Sequence, residues 1–301
     1  VVFMAKRILI QLDPDAQPSI FDAVVAVDAG ADVLLRHGGV TVDTVVALVH
    51  GAMFTRGGAD LASTAIFIGG SDVPAAERLF DAVRSTFFGP VRVGVLLDPS
   101  GANTTAAAAV VAAARHLSFD ASAVDGCRAV VLGGTGPVGQ RVARLLARKG
   151  VAVTIASRSQ ERAEAVAERI RGGIPSAQLR CVASGSEQFP AELRSAIEAA
   201  DLIVAAGAAG VRLLSVSERA AATRAKVLID LNAVPPAGIE GIAATDKGRP
   251  DGAAVVYGPL GVGGTKMKIH RMAVRRLFED ASVCLDAEEL LALGEQLDAA
   301  G

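Results

Sequence analysis

Lysine is rare in this sequence, occurring only as Lys6, Lys149, Lys226, Lys247, Lys266 and Lys268, and the last two fall within Gly263-Gly264-Thr265-Lys266-Met267-Lys268-Ile269-His270. Lys266 and His270 are four residues apart, so a helix places them on one face and turns Lys268 elsewhere. A glycine loop that delivers a cation and an imidazole to one helix face can orient a polar substrate. The alternative is a solvated helix face with no role. A second candidate is Gly134-Thr135-Gly136-Pro137-Val138-Gly139, a G-x-G-x-x-G string. Gly134 permits the tight bend, Gly136 leaves bare backbone for a pyrophosphate, and Gly139 lets the following helix pack close to its strand.

The context of the glycines decides how they are read. The apolar run Ala129 to Leu132 enters them directly, and Val138, Val142, Leu145 and Leu146 recur behind them at helical spacing. Gly150 closes that helix, and Val151 to Ile155 is a second strand. Strand, glycine turn, helix and strand make a dinucleotide-binding unit, with phosphate on the helix N-terminus. An NAD-binding chain places Asp or Glu at the end of the second strand. Here that strand ends in Ala156-Ser157-Arg158-Ser159. A hydroxyl and a guanidinium suit a 2′-phosphate, which predicts NADP with NAD as a weaker alternative. Arg158 as a surface cation and Ser159 as a helix cap is the plainer alternative.

Absences narrow the chemistry. Tyr257 is the only tyrosine and position 261 is Gly, so no Tyr-x-x-x-Lys dyad exists. There is no nucleophile elbow, zincin helix or Walker lysine. His37, His50, His116 and His270 are scattered, as are Cys127, Cys181 and Cys284, and no metal site is indicated. The cysteine pattern reads as incidental thiols in a reducing compartment. A formal net charge of −2 offers no basic field for nucleic acid or anionic membrane. The start of the chain lacks the pattern of a signal peptide and no run is long enough to span a membrane, so a cytoplasmic location is expected.

The elements that must position these residues alternate throughout. Strands are expected at Arg7 to Leu12, Val33 to Leu35, Thr64 to Ile68 and Val91 to Leu97. Helices are expected at Ile20 to Ala29, capped by Ser19 with Asp22 in the manner of a capping box, at Asp43 to His50 and at Pro74 to about Phe87. An alanine-rich helix follows to about Leu117, with Asn103 or Thr104 as its cap. Ser118 to Asp125 reads as a polar linker. Beyond it, helices are expected at Ser159 to Arg171 and Glu187 to Ala200, and strands at Gln178 to Val182, Asp201 to Ala206 and Lys226 to Asp230. Ala206 and Gly207 open a small-residue loop that passes over the cofactor, and Asn232 opens another. Tyr257 to Gly264 is a glycine-rich approach to helices at Thr265 to Asp280 and Asp286 to Ala299.

Eight strings carry a family likeness: Asp15 to Asp22, Thr55 to Gly58, Ser63 to Gly70, Phe87 to Pro90, Asn103 to Ala108, Gly133 to Gly139, Ala244 to Gly248 and Gly261 to Arg271. Together they resemble the bacterial NADP-dependent methylenetetrahydromethanopterin/methylenetetrahydrofolate dehydrogenases of one-carbon metabolism, from about Leu9 to Ala299. The resemblance implies that Phe21, Thr105, Lys266 and His270 line the active cleft. It implies a homotrimer, and a hydride passing from the bridging one-carbon unit to NADP⁺ to leave a methenyl cation. The pterin nitrogens delocalise that charge, so orientation and a dry cleft are required and a protein base is not.

The expected fold is α/β with two domains: a catalytic one at residues 1–122, joined by the returning helices of residues 266–301, and a Rossmann domain with a doubly wound parallel sheet at residues 123–265. The competing functions are another NADP-dependent small-molecule dehydrogenase on this architecture and a non-catalytic NADP sensor.

Overall fold

A computed structural model of the chain describes residues 5–119, 126–185 and 189–300. In chain order its elements are β1 (Ile8–Leu12), α1 (Ile20–Asp28), β2 (Val33–His37), α2 (Val42–Phe54), β3 (Thr64–Ile68), α3 (Val73–Thr86), β4 (Gly94–Leu97) and α4 (Ala102–Ala114). There follow β5 (Arg128–Leu132), α5 (Pro137–Arg148), β6 (Ala152–Ser157), α6 (Gln160–Gly173), β7 (Leu179–Ala183), α7 (Ala191–Glu198) and β8 (Leu202–Ala205). The chain closes with α8 (Val216–Arg219), β9 (Val227–Asp230), β10 (Lys247–Asp251), β11 (Ala254–Tyr257), α9 (Pro259–Arg276), β12 (Cys284–Leu285) and α10 (Ala287–Ala299). The chain forms two compact units, one holding the residues up to Thr104 and those from Met267 onward, the other Thr105–Lys266. The divisions fall inside α4 and α9, whereas the expected N-terminal boundary was near residue 122. Most of the expected linker, residues 120–125, lies outside the described residues, as does the expected helix start at Glu187.

The first unit is a parallel sheet in the order β12-β4-β3-β1-β2. β3 and β4 are buried along their whole length, which is why Thr-Ala-Ile-Phe-Ile and Gly-Val-Leu-Leu read as unbroken apolar runs. One layer of the core joins Leu12, Ile66, Ile68, Val95 and Leu97 to Val45, Val49, Leu79 and Phe80 of α2 and α3. Gly94 is dictated by its neighbour, since a Cβ there would stand 2.6 Å from the Leu277 carbonyl oxygen. β12 has two residues and no pattern of its own. It is recruited by pairing Cys284 and Leu285 with Val95 and Leu96.

The second unit is a sheet ordered β10-β11-β9-β8-β5-β6-β7, in which only β10 runs antiparallel. Its six parallel strands have the doubly wound order of dinucleotide-binding folds. The β10–β11 hairpin was not among the expected elements. Lys-Gly-Arg-Pro-Asp has no alternating pattern, and its proline and charges are what an edge strand tolerates. The signal available was Asp251-Gly252, with Gly252 at φ 62°.

Two local expectations are corrected. The glycines after Tyr257 do not form a loop: α9 begins at Pro259 and contains Gly261, Gly263 and Gly264. A Cβ on Gly258 or Gly261 would come within 2.0 Å of the Ala243 carbonyl oxygen or 1.8 Å of that of Asp246, so these glycines serve close backbone approach. The alanine helix is not capped by Asn103 or Thr104. Both lie inside its first turn, and the fully buried Asp98 accepts their backbone N–H groups at 2.9 and 3.0 Å and the Thr104 hydroxyl at 2.6 Å. Ser100, at φ 53°, makes the bend that brings Asp98 under the helix end.

Candidate functional site

In the second unit the sequence from β5 to β6 builds a cavity of about 240 Å³. Its walls include Gly133, Thr135, Gly136, Pro137, Ser157 and Arg158, with Ala206 and Gly207 from the end of β8. The glycines divide the work. Gly136 caps α5 and faces the cavity. A Cβ on Gly139 would stand 2.5 Å from the Gly133 carbonyl oxygen, and one on Gly134 2.8 Å from Ile155. Gly134 and Gly139 therefore hold the turn closed from behind. Gly133, at φ 69°, has the Gly207 backbone against it, where a Cβ would be 2.7 Å away. The exposed N-terminus of α5 and bare backbone on both sides fit a pyrophosphate.

The end of β6 presents a hydroxyl and a guanidinium to this cavity. Ser157 is buried, and its hydroxyl lies 3.1 Å from that of Thr135 and accepts the Ser159 N–H at 3.3 Å. Its role is thus shared between cavity and turn. Ser159 caps α6 by accepting the Arg162 N–H at 3.2 Å. Arg162 lines the cavity with Arg158 and Ser184, and none of the described residues that line it is a carboxylate. Two guanidiniums without an acid fit a 2′-phosphate. Arg162 was missed by the sequence reading, although its position four after Arg158 in the first turn of a helix was a usable signal.

Val138 and Asn232 do not line this cavity. Asn232 instead fastens two loops: its Oδ1 accepts N–H groups of Val234 and Gly210 at 3.1 and 3.4 Å, and its side-chain amide donates to the Pro236 carbonyl at 3.0 Å. Asp230, at the end of β9, is buried beneath them and accepts the amides of Asn232 and Ile239 at 3.0 and 3.2 Å. Burial pushes its carboxyl above the usual carboxylate range, against the pull of those amides. Elsewhere in this unit His116 and Tyr257 are 2.8 Å apart through Nε2 and the phenol oxygen.

Among the expected substrate residues, the first unit brings together Phe21 and His270. Their ring centroids are 6.4 Å apart, and His270 stacks on Phe67 at 5.6 Å. Phe21 is 52% exposed while His270 is buried, so Phe21 is not a core phenylalanine. Thr105 is half-buried in α4, and Lys266 is half-buried one turn before His270 on α9. Lys268 is exposed. Phe67 gave no sequence signal, because a phenylalanine in an apolar strand reads as core. Among the described residues no group of three or more His, Cys, Asp or Glu could hold a metal ion, and no helix is long and apolar enough to cross a membrane.

The doubly wound nucleotide unit and its cationic cavity define the class: an NAD(P)-dependent oxidoreductase. Residues 20–100 match the family described as methylene-tetrahydromethanopterin dehydrogenase, N-terminal, and residues 129–234 match the saccharopine dehydrogenase NADP binding domain. The chain is 43% identical over 298 residues to the "Bifunctional protein MdtA" of Methylorubrum extorquens, covering 98% of this chain and 100% of that one. It is 35% identical over 301 residues to the NAD(P)-dependent methylenetetrahydromethanopterin dehydrogenase of the same organism, covering 98% and 99%. Quinate dehydrogenase from Corynebacterium glutamicum, solved in complex with NAD, shares the fold at a TM-score of 0.54 and 15% identity, over 97% of this chain and 99% of that one. The chain belongs to the methylenetetrahydromethanopterin dehydrogenase family.

Proposed function

We propose that this protein removes hydride from the methylene bridge of a methylene-tetrahydropterin and passes it to NADP⁺, giving the methenyl form in one-carbon metabolism. The observation that carries the cofactor assignment is the cavity at the end of β6, where Arg158 and Arg162 stand and, among the described residues, no carboxylate does. Near-full-length relatives at 43% and 35% identity support the carrier class. A relative named as NAD(P)-dependent supports some use of NAD⁺ as well.

NADP⁺, when bound, supplies the carbon that accepts the hydride. The chain contributes placement. Backbone at Gly133, Gly136 and Gly207 receives the pyrophosphate, and Arg158, Arg162 and Ser157 hold the 2′-phosphate end. Phe21 offers an exposed apolar face to the pterin ring, and His270, wedged against Phe67 and Phe21, fixes that face in place. Lys266 and Thr105 hold the polar edge of the carrier. A lysine cation directed at the bridging carbon would oppose the developing positive charge, so Lys266 acts on a carrier oxygen. No proton leaves with the hydride, so none of these residues needs to act as a base.

The carrier is methylene-tetrahydromethanopterin, methylene-tetrahydrofolate or both, and the working form is a cytoplasmic homotrimer. The testing experiment is a steady-state comparison of both methylene carriers, each with NADP⁺ and NAD⁺. Reduction of NADP⁺ by at least one carrier, with kcat/KM above that for NAD⁺, is the expected outcome. Tight NADP⁺ binding without turnover of either carrier would instead mark a sensor.

A further inference from the structure

The cavity of the second unit is walled by two different kinds of chain. On the β6 side stand side chains, Ser157, Arg158 and Arg162. On the β8 side stands a loop of small residues that contributes Gly207, Ala208, Val211 and Leu213. Gly207-Ala208-Ala209-Gly210 has little side chain to pack, and Val211 is 42% exposed, so apolar burial does not hold this loop in place. Its position has to come from hydrogen bonds.

Those bonds lead back to one carboxyl group. Asp230 ends β9, the strand beside β8, with 1% exposure. Its Oδ1 accepts the Asn232 N–H at 3.0 Å and its Oδ2 the Ile239 N–H at 3.2 Å, so one side chain ties both ends of the loop of residues 231–238. Gly238 is pressed onto it, since a Cβ there would stand 2.7 Å from Oδ1. The Gly238 carbonyl, fixed in this way, accepts the N–H groups of Leu213 and Leu214 at 2.8 and 3.0 Å. Leu213 lines the cavity and packs on Gly207, where a Cβ would meet its Cδ1 at 2.7 Å. Asn232 supplies a second tie, from its Oδ1 to the Gly210 N–H at 3.4 Å. Neither Asp230 nor Asn232 lines the cavity, yet each is bonded to the chain that does.

We infer, on the NADP reading above, that Asp230 and Asn232 are positioning residues that set the β8-side wall against the dinucleotide. β8 flanks β5 on one side and β6 on the other, so this wall lies across the cavity from the arginines that take the 2′-phosphate. It meets the part of the dinucleotide that NADP⁺ and NAD⁺ have in common. Loosening it weakens both cofactors by the same factor, whereas loss of an arginine separates them.

The test is calorimetric titration of NADP⁺ and NAD⁺ into the full chain, as wild type and as Asn232→Ala, with steady-state kinetics and a melting curve alongside. Asn232→Ala should raise the Kd of both cofactors about five- to tenfold and hold their ratio within about twofold. The cofactor KM should rise to match, with kcat at saturating cofactor largely kept. Asp230→Asn, which turns an N–H₂ group toward a backbone N–H, should act in the same way and more strongly. If Asp230→Asn does not fold, Asn232→Ala decides alone. A purely structural role would lower the melting temperature and leave both Kd values as they are in the folded protein, and that result overturns the inference. So does a loss confined to NADP⁺, which would place Asn232 at the phosphate end. If wild type binds neither cofactor, the NADP reading fails. If wild type binds and Asn232→Ala binds equally well, the inference alone fails.

Discussion

Thr135 Oγ1 and Ser157 Oγ lie 3.1 Å apart, tying the glycine turn after β5 to the end of β6. The two hydroxyls close the cavity floor next to Arg158 and Arg162. Replacing Ser157 by Asp would break this pair and put a carboxylate where a ribose 2′-hydroxyl, and not a phosphate, is welcome. Ser157→Asp is therefore expected to shift preference from NADP⁺ toward NAD⁺, measured as the ratio of the two kcat/KM values.

The two arginines should act on the phosphate alone. Arg158→Ala and Arg162→Ala are each expected to weaken NADP⁺ by about tenfold (~1.4 kcal/mol) and to leave NAD⁺ nearly unchanged. Both side chains are exposed, so the loss should shrink as salt is raised. Titration of both cofactors at low and high ionic strength checks this, and equal losses for NAD⁺ and NADP⁺ would remove the assignment.

Asp98 accepts two backbone amides and a hydroxyl at the start of α4. Asp98→Ala would leave the amides of Asn103 and Thr104 without this acceptor, while the Thr104 hydroxyl keeps the Gly101 carbonyl at 3.2 Å. A loss of about 2 kcal/mol or more is expected, at about 1 to 3 kcal/mol for each of the two buried amides left unmet. Asp98→Asn keeps one acceptor oxygen and should lose less. Urea denaturation of the two variants gives the ordering, and an Asp98→Ala protein as stable as wild type would contradict it.

Burial pushes the thiols of Cys127 and Cys181 up to about 11. At pH 8 only about one in a thousand of either is then thiolate. Both should react slowly with iodoacetamide in the folded protein, with a rate rising about tenfold per pH unit toward 11, and should react fast once unfolded. Rapid labelling of either at pH 8 in the native state would show that its environment has been misread.

Much of the nucleotide unit was legible because each of its signals is local. Ala129 to Leu132, the glycines and the Arg158 end of β6 carry their chemistry within about thirty residues, and the strand order follows from it. Residues fixed by distant neighbours were not legible. Asp98 resembles any polar residue before a helix until Ser100 bends beneath it. Gly258 and Gly261 resemble a loop until the backbone of residues 243–246 is laid against them. The Lys266 and His270 spacing did predict a shared helix. What the helix could not disclose is that His270 is buried against Phe67.

Lys266→Ala is expected to raise the carrier KM and lower kcat through lost positioning, with NADP⁺ affinity little changed. His270→Ala should act in the same direction and more weakly. Steady-state kinetics of both variants, with an NADP⁺ titration alongside, checks this. A pH profile governed by a lysine would point to acid–base work instead. Full activity of Lys266→Ala on every carrier would place the substrate elsewhere.

The central claim is a direct hydride transfer from the one-carbon bridge to NADP⁺. Its most direct test is turnover of a carrier deuterated at the methylene carbon, with NMR or mass analysis of the reduced cofactor. The account predicts one deuterium at C4 of NADPH for each methenyl product formed. Reduced cofactor without deuterium, or no reduction of NADP⁺ by any methylene carrier, would contradict it.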